Sequence, residues 1–373
     1  MKSKFTIGYI HKGYPEERTI FLPWSTQKVR MKKCIDLFKL LDGFIFKFLG
    51  KSYAVIHNLC FFFIEYPFVD AYHFFNGIKL FGKKPWIVTY ESLIPRLGSY
   101  DFINRFAVKQ LTKDSCKAII AISECAYHNQ VCFLNDNYPD YAPLIIPKIK
   151  QLYPPQEIRF PVKFIKSERL KFVFVGRDFY QKGGAILLES FIEWKLENNI
   201  PAELIMISNL NNGFISDYSP ALEENVLKWL SDESIIHHKS LPNKDVLLLL
   251  KDADVITLPT YADTFGYSVL EGMANACVPL VTNIRALTEL VTPERGFMIN
   301  LPIKKNGNLD RSIPFEEIRE LLKLRLIESF NQIAAEWESD GLKQKKNEAY
   351  QWVKNHCNAE KIGWELRECL HHV

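Results

Sequence analysis

Short apolar runs recur along the chain, separated by polar loops and by stretches whose apolar positions repeat at helical spacing. The alternation is most regular in the second half. Residues 172–175, 204–207, 235–237, 255–258, 280–282 and 297–299 read as strands, and 185–198 and 244–251 as helices between them. That rhythm predicts a doubly wound parallel sheet. Beyond Pro314 the pattern becomes helical, from Phe315 to about Glu338 and again to His372.

The first half shows the same alternation less cleanly. Residues 5–10, 54–56, 70–74, 85–90, 117–122 and 144–147 read as strands of a first α/β domain, with Ser123 capping a following helix. Pro147, Pro154, Pro155 and Pro161 crowd one interval and predict the domain boundary there.

Residues 28–51 stand apart. Lys28, Lys32, Asp36, Lys39, Gly43 and Lys47 step by three or four, while Met31, Cys34, Ile35, Phe38, Leu41, Ile45, Phe48 and Leu49 form the opposite stripe. This predicts one basic amphipathic helix. Two readings are open: a helix packed on its own sheet, or one that lies in the headgroup region of an anionic membrane.

Composition sets bounds. At 373 residues, 47% hydrophobic and 24% charged, the chain suits two soluble domains. A net charge of +4 and no nucleic-acid-reading motif argue against a nucleic-acid partner. Eight cysteines without metal-ligand spacing argue against zinc and for reduced thiols in the cytoplasm. The segment Met1–Lys4 leads straight into a strand, so no cleavable signal is expected, and the run 60–64 is too short to span a bilayer.

Candidate chemistry gathers in two strand–loop–helix segments. The first runs Phe174-Val175-Gly176-Arg177 through Lys182-Gly183-Gly184 into a helix. Gly176 permits a sharp turn, Arg177 offers a planar fork of donors and Lys182 a compact charge, a pair suited to a diphosphate. The second runs from the strand 255–258 through Asp263-Thr264-Phe265-Gly266-Tyr267 to Glu271. A helix starting near Gly266 directs its first N–H groups at whatever lies before it and favours negative charge. Asp263 is also a good N-terminal cap, so that reading stays open.

Together these segments resemble the G-R-x(4)-K-G and E-x-F-G-x(4)-E signatures of retaining glycosyltransferases of family 4, with Asp263 standing where that family has Glu. The resemblance implies an α/β GT-B architecture, two doubly wound Rossmann-like domains facing across a cleft. It divides the chain into an acceptor domain, 1–155, and a nucleotide-sugar domain, 156–349, with the helix 350–373 returning to the first. It also implies transfer of a sugar from a nucleotide-sugar donor to a hydroxyl of a glycan or lipid-linked acceptor, as in surface polysaccharide synthesis. Asp263 then positions the sugar, Arg177 and Lys182 stabilise the departing diphosphate, Glu271 holds the ribose, and Gly176, Thr264, Phe265, Gly266 and Tyr267 line the donor.

Gly13, His73 and Glu91 are the acceptor-side candidates, read as lying at strand ends; turn and solvated-loop roles remain open for Gly13 and Glu91. The triplet Asp252-Ala253-Asp254 precedes a strand, the wrong end for a metal site facing the ligand, and no metal or other cofactor is expected. A nucleotide-sugar epimerase and a non-catalytic nucleotide-sugar-binding subunit are the alternatives.

Overall fold

The computed structural model describes residues 5–50, 53–62, 65–98, 101–158 and 168–371. Several expectations therefore fall wholly or partly outside the described residues: Met1–Lys4, Lys51, Phe63, Ile64, Pro161 and His372. The chain divides into two compact units, residues 1–156 with 356–373, and residues 157–355.

The first unit is built on a six-stranded sheet. Its strands are β1 (Thr6–Tyr9), β2 (Arg30–Lys33), β4 (Ala71–Phe75), β6 (Trp86–Tyr90), β7 (Cys116–Ala121) and β8 (Ile149–Gln151), while β3 (Leu59–Cys60) and β5 (Ile78–Lys79) pair separately. The order is β2-β1-β4-β6-β7-β8, and every pair is parallel. A parallel sheet covered on both faces needs apolar residues on both sides of each strand. Alternation supplies them: Trp86, Val88 and Tyr90 enter one core and Ile87 the other, as do Ile119 and Ala121 against Ala118 and Ile120. The second of these cores is closed by Trp24 and by Ile362, Leu366 and Leu370 of the helix Ala359–His371.

Three local expectations are corrected here. Residues 28–51 are not one helix: Lys28 adopts a left-handed conformation (φ 54°), Arg30–Lys33 forms edge strand β2 paired in register with Thr6–Tyr9, and the helix is Leu37–Leu49. The demand of β1 for an edge partner overrides the helical spacing. Residues 54–56 begin the helix Ala54–Asn58, since three apolar residues carry no period that separates strand from helix. Residues 144–147 fall in the short helix Ala142–Ile145 and the 3-10 turn Ile146–Lys148; Pro147 lies in the first turn, where its missing N–H costs nothing, and β8 starts only at Ile149. Ser123 does cap Glu124–Asn137, its Oγ accepting the N–H of Ala126 at 3.0 Å.

The second unit follows its sequence pattern closely. Its strands are β9 (Leu170–Val175), β10 (Ala202–Ile207), β11 (Ile235–His238), β12 (Val255–Leu258), β13 (Val278–Thr282) and β14 (Phe297–Ile299). All pairs are parallel, in the order β11-β10-β9-β12-β13-β14. Successive strands step outward from β9 to one edge and from β12 to the other. The direction of winding thus reverses between β9 and β12, and the crevice beyond their carboxyl ends is where such sheets bind ligands. Phe172, Phe191, Trp194 and Phe330 pack edge to face beneath that point, joining β9 to the helices Gly184–Glu197 and Phe315–Glu338.

Candidate functional site

The loops after β9 and β12 are locked together at the point of reversal. Gly183 caps the helix Gly184–Glu197 with φ 74°, and a Cβ there would lie 2.0 Å from the carbonyl oxygen of Pro259. Only glycine allows so close a backbone approach. Gln181 ties the loops further: its carbonyl accepts the N–H of Tyr261 at 3.0 Å, and its side chain donates to the carbonyl of Ala262 and accepts the N–H of Phe214. Sequence reading passed over Gln181, although its place directly before Lys182 in the motif marked it.

That lock brings two of the predicted charges into contact. Lys182 Nζ lies 2.7 Å from Asp263 Oδ2 and 3.1 Å from the Ala262 carbonyl. The other carboxylate oxygen, Oδ1, accepts the N–H groups of Phe265 at 2.9 Å and Gly266 at 3.0 Å. Burial alone would raise the Asp263 carboxyl, but the Lys182 ammonium and these two N–H groups outweigh it and hold it below the usual carboxylate range. Gly266 is the N-cap of the helix Tyr267–Ala274 and no side chain caps it, so Asp263 braces the loop before that helix and pairs with Lys182 at the same time.

The glycines here are fitted to their neighbours. A Cβ on Gly176 would sit 3.1 Å from Lys182 Cγ, so the lysine stem lies over that turn. Gly266 has φ 91°, and a Cβ there would meet Leu287 at 2.5 Å. Arg177 is exposed and makes no hydrogen bond or ion pair among the described residues. Thr264 and Tyr267 are half-buried beside the helix start.

Two donor-side candidates have partners of their own. Phe265 is fully buried, its ring 5.1 Å from that of Tyr267, and its N–H is taken by Asp263; its side chain is core and cannot line the donor. Glu271 is buried one turn inside its helix and accepts a hydrogen bond from Asn243 Nδ2 at 3.0 Å. Asn243 opens the helix Asn243–Lys251 beyond β11, a helix-start position that no motif flagged. In the triplet Asp252-Ala253-Asp254, Asp254 precedes β12 and is engaged by Lys346 and by the N–H of Lys171.

Among the described residues no hydrogen bond or ion pair joins the first-unit candidates to one another. Gly13 lies in the loop after β1 with ordinary φ (−112°) and caps the short helix Tyr14–Glu16. Glu91 follows β6 and pairs with Arg96 at 2.9 Å. His73 is corrected outright: it lies inside β4, fully buried, with Trp24 Nε1 donating to Nδ1 at 2.9 Å and Nε2 at 2.8 Å from Thr89 Oγ1. Because Nδ1 accepts, the proton sits on Nε2 and the ring is neutral; burial pushes its pKa down to about 3. Strand alternation aims the ring into a packed face against Trp24.

Residues 155–307 match the family model for glycosyl transferases group 1. Comparison with curated proteins gives no match. Among solved structures, a glycosyltransferase from Rickettsia africae is similar at 14% identity and TM-score 0.60, covering 99% of this chain and 98% of that one. Sucrose-phosphate synthase from Thermosynechococcus elongatus is similar at 12% identity and TM-score 0.63, covering 99% of each chain. Anabaena HepE in complex with UDP is similar at 11% identity and TM-score 0.61, covering 99% of this chain and 100% of that one, and it is also known in complex with UDP-glucose. At such identities the likeness carries the fold, which is GT-B. The match over residues 155–307 and the GT-B fold of the chain support an enzyme of the glycosyltransferase type.

Proposed function

We propose that the protein is a retaining glycosyltransferase that moves a sugar from a nucleotide-sugar donor to a hydroxyl of a glycan or lipid-linked acceptor, in the cytoplasm and in the service of surface polysaccharide synthesis. One observation carries the reading. Two motifs eighty-one residues apart meet as the Lys182–Asp263 pair at the reversal point between β9 and β12.

A diphosphate seated there meets the exposed Arg177 and competes for Lys182, drawing its ammonium from Asp263 towards phosphate oxygen. The carboxylate is then available to the sugar hydroxyls. As the bond between the anomeric carbon and the phosphate oxygen breaks, its electron pair goes to the diphosphate. Arg177 and Lys182 stabilise that charge, commonly the largest contribution such a site makes. The acceptor hydroxyl attacks from the face the diphosphate leaves, and its proton passes to the departing phosphate oxygen. Glu271, held by Asn243, is the ribose ligand in this scheme. No metal takes part in it.

Uridine diphosphate sugars are the first donors to test, since the Anabaena relative binds UDP and UDP-glucose. Thermal shift with a panel of nucleotide sugars should raise the midpoint for the true donor by mass action, and that donor should then show transfer or slow hydrolysis. Stabilisation by none of them, with no turnover, would sink the proposal.

A further inference from the structure

The helix Leu37–Leu49 is built inside out. Its one buried side chain is Asp42, whose Oδ2 lies 3.1 Å from His57 Nδ1, while Leu40 is 61% exposed, Phe44 61% and Phe48 65%. On a helical wheel Leu40, Leu41, Phe44 and Phe48 form one stripe, and Asp42 lies across the axis from it. The Phe44 and Phe48 rings touch each other, with centroids 4.5 Å apart, and nothing else among the described residues stacks on them. A helix that packs on its own sheet would show the reverse. On the side towards Asp42, Phe38 packs against the core and begins a separate run of rings, Phe38 to Phe61 to Phe81 to Phe106, of which Phe81 is 54% exposed.

Charge indicates what covers this face. The edge strand β2, joined to the helix by Cys34–Asp36, exposes Arg30, Lys32 and Lys33, with exposed Lys28 before it and exposed Lys47 near the helix end. The two carboxylates of residues 28–50, Asp36 and Asp42, are both buried. Lysines on an edge strand also deter strand pairing, but that does not account for the exposed apolar residues of the helix that follows. An exposed apolar stripe in a segment whose exposed charges are all cations, with no exposed carboxylate, is complementary to an anionic lipid surface. Thirteen residues make a helix about 20 Å long, short of the ~30 Å hydrocarbon core, so it would lie in the interface and not cross it. Among the described residues no helix is long and apolar enough to span a membrane.

We propose that the helix Leu37–Leu49 and the cationic edge β2 form a docking face for an anionic membrane, with Leu40, Leu41, Phe44 and Phe48 inserted among the acyl chains. The proposal is independent of the donor site, so Arg177→Ala leaves docking unchanged.

The test is flotation of the full chain with vesicles of phosphatidylcholine plus phosphatidylglycerol, and with phosphatidylcholine alone. The wild type floats with the anionic vesicles, less so as salt rises, and little with the neutral ones. Replacing both Phe44 and Phe48 by Ser lowers partition by about tenfold or more, and Lys28→Glu with Lys32→Glu and Lys33→Glu abolishes the preference for anionic lipid. All of these residues are exposed, so the thermal midpoint checks that each variant is folded. In a Phe48→Trp variant the emission shifts to the blue on adding anionic vesicles. A wild type that stays at the bottom of the gradient, or a serine variant that floats as well as the wild type, overturns the proposal. So does a dimer that the serine variant dissolves while neither protein floats, because the face would then be a contact between two copies.

Discussion

The two units share a parallel sheet but use their strand ends differently. In the second unit the loops after β9 and β12 are bonded to each other through Gln181, Gly183 and Lys182, and two of the predicted charges, Lys182 and Asp263, meet. In the first unit the candidates lie after β1, inside β4 and after β6, each bound to its own local partner. Their helices differ too. Gly184–Glu197 buries most of its apolar residues, whereas Leu37–Leu49 exposes them. The second unit joins its loops at the strand ends, and the first leaves an apolar helix face exposed.

The sharpest way to break this contrast is Arg177→Ala. Losing a cation aimed at the diphosphate should lower donor turnover by about a hundredfold or more, with the melting temperature unmoved because the side chain is exposed and unpartnered. Activity within a few-fold of wild type would remove the phosphate assignment.

Next comes Gly183→Ala, expected to cost roughly 3 kcal/mol in urea unfolding, through the forbidden conformation and the clash with Pro259. Gly13→Ala, at ordinary φ against a flexible Glu16 side chain, should cost under about 0.5 kcal/mol. Equal losses at the two glycines would contradict the different packing of the two loops.

His73 supplies a pH signature for the first unit. Its folded pKa is about 3 against an unfolded value near 6.5, so the unfolded state binds the proton first as pH falls. The stability it confers is complete above pH ~6.5 and is lost towards pH ~3, by up to about 1.4 kcal/mol per pH unit. A His73→Gln variant should show a flatter acid limb over pH 6 to 4 in chemical denaturation. An unchanged slope would mean that the ring is not held neutral. The smallest effect belongs to Glu91→Gln, which removes a partly exposed pair with Arg96 and should shift stability by no more than ~1 kcal/mol. Loss of turnover in that variant would restore Glu91 as an acceptor ligand and narrow the difference between the units.

Sequence alone determined the second unit's strands to within two residues at each end, because buried parallel strands write their periods plainly, as β12, β14 and the helix Phe315–Glu338 show, while the helix Pro220–Trp229 went unread. It also singled out Lys182 and Asp263, since charge beside a glycine turn or a helix start is a local pattern. Only the tertiary structure decided that these two meet, that one Asp263 oxygen is taken by the N–H groups of Phe265 and Gly266, that Gln181 ties the two loops and Asn243 binds Glu271, and that Phe265 is core. It likewise turned Arg30–Lys33 into an edge strand, set His73 between Trp24 and Thr89, and left the apolar stripe of Leu37–Leu49 outward. The physical reason is common to all of these. A period specifies which residues share a face, but what that face meets depends on contacts between residues far apart in the chain, whose energies no local window contains.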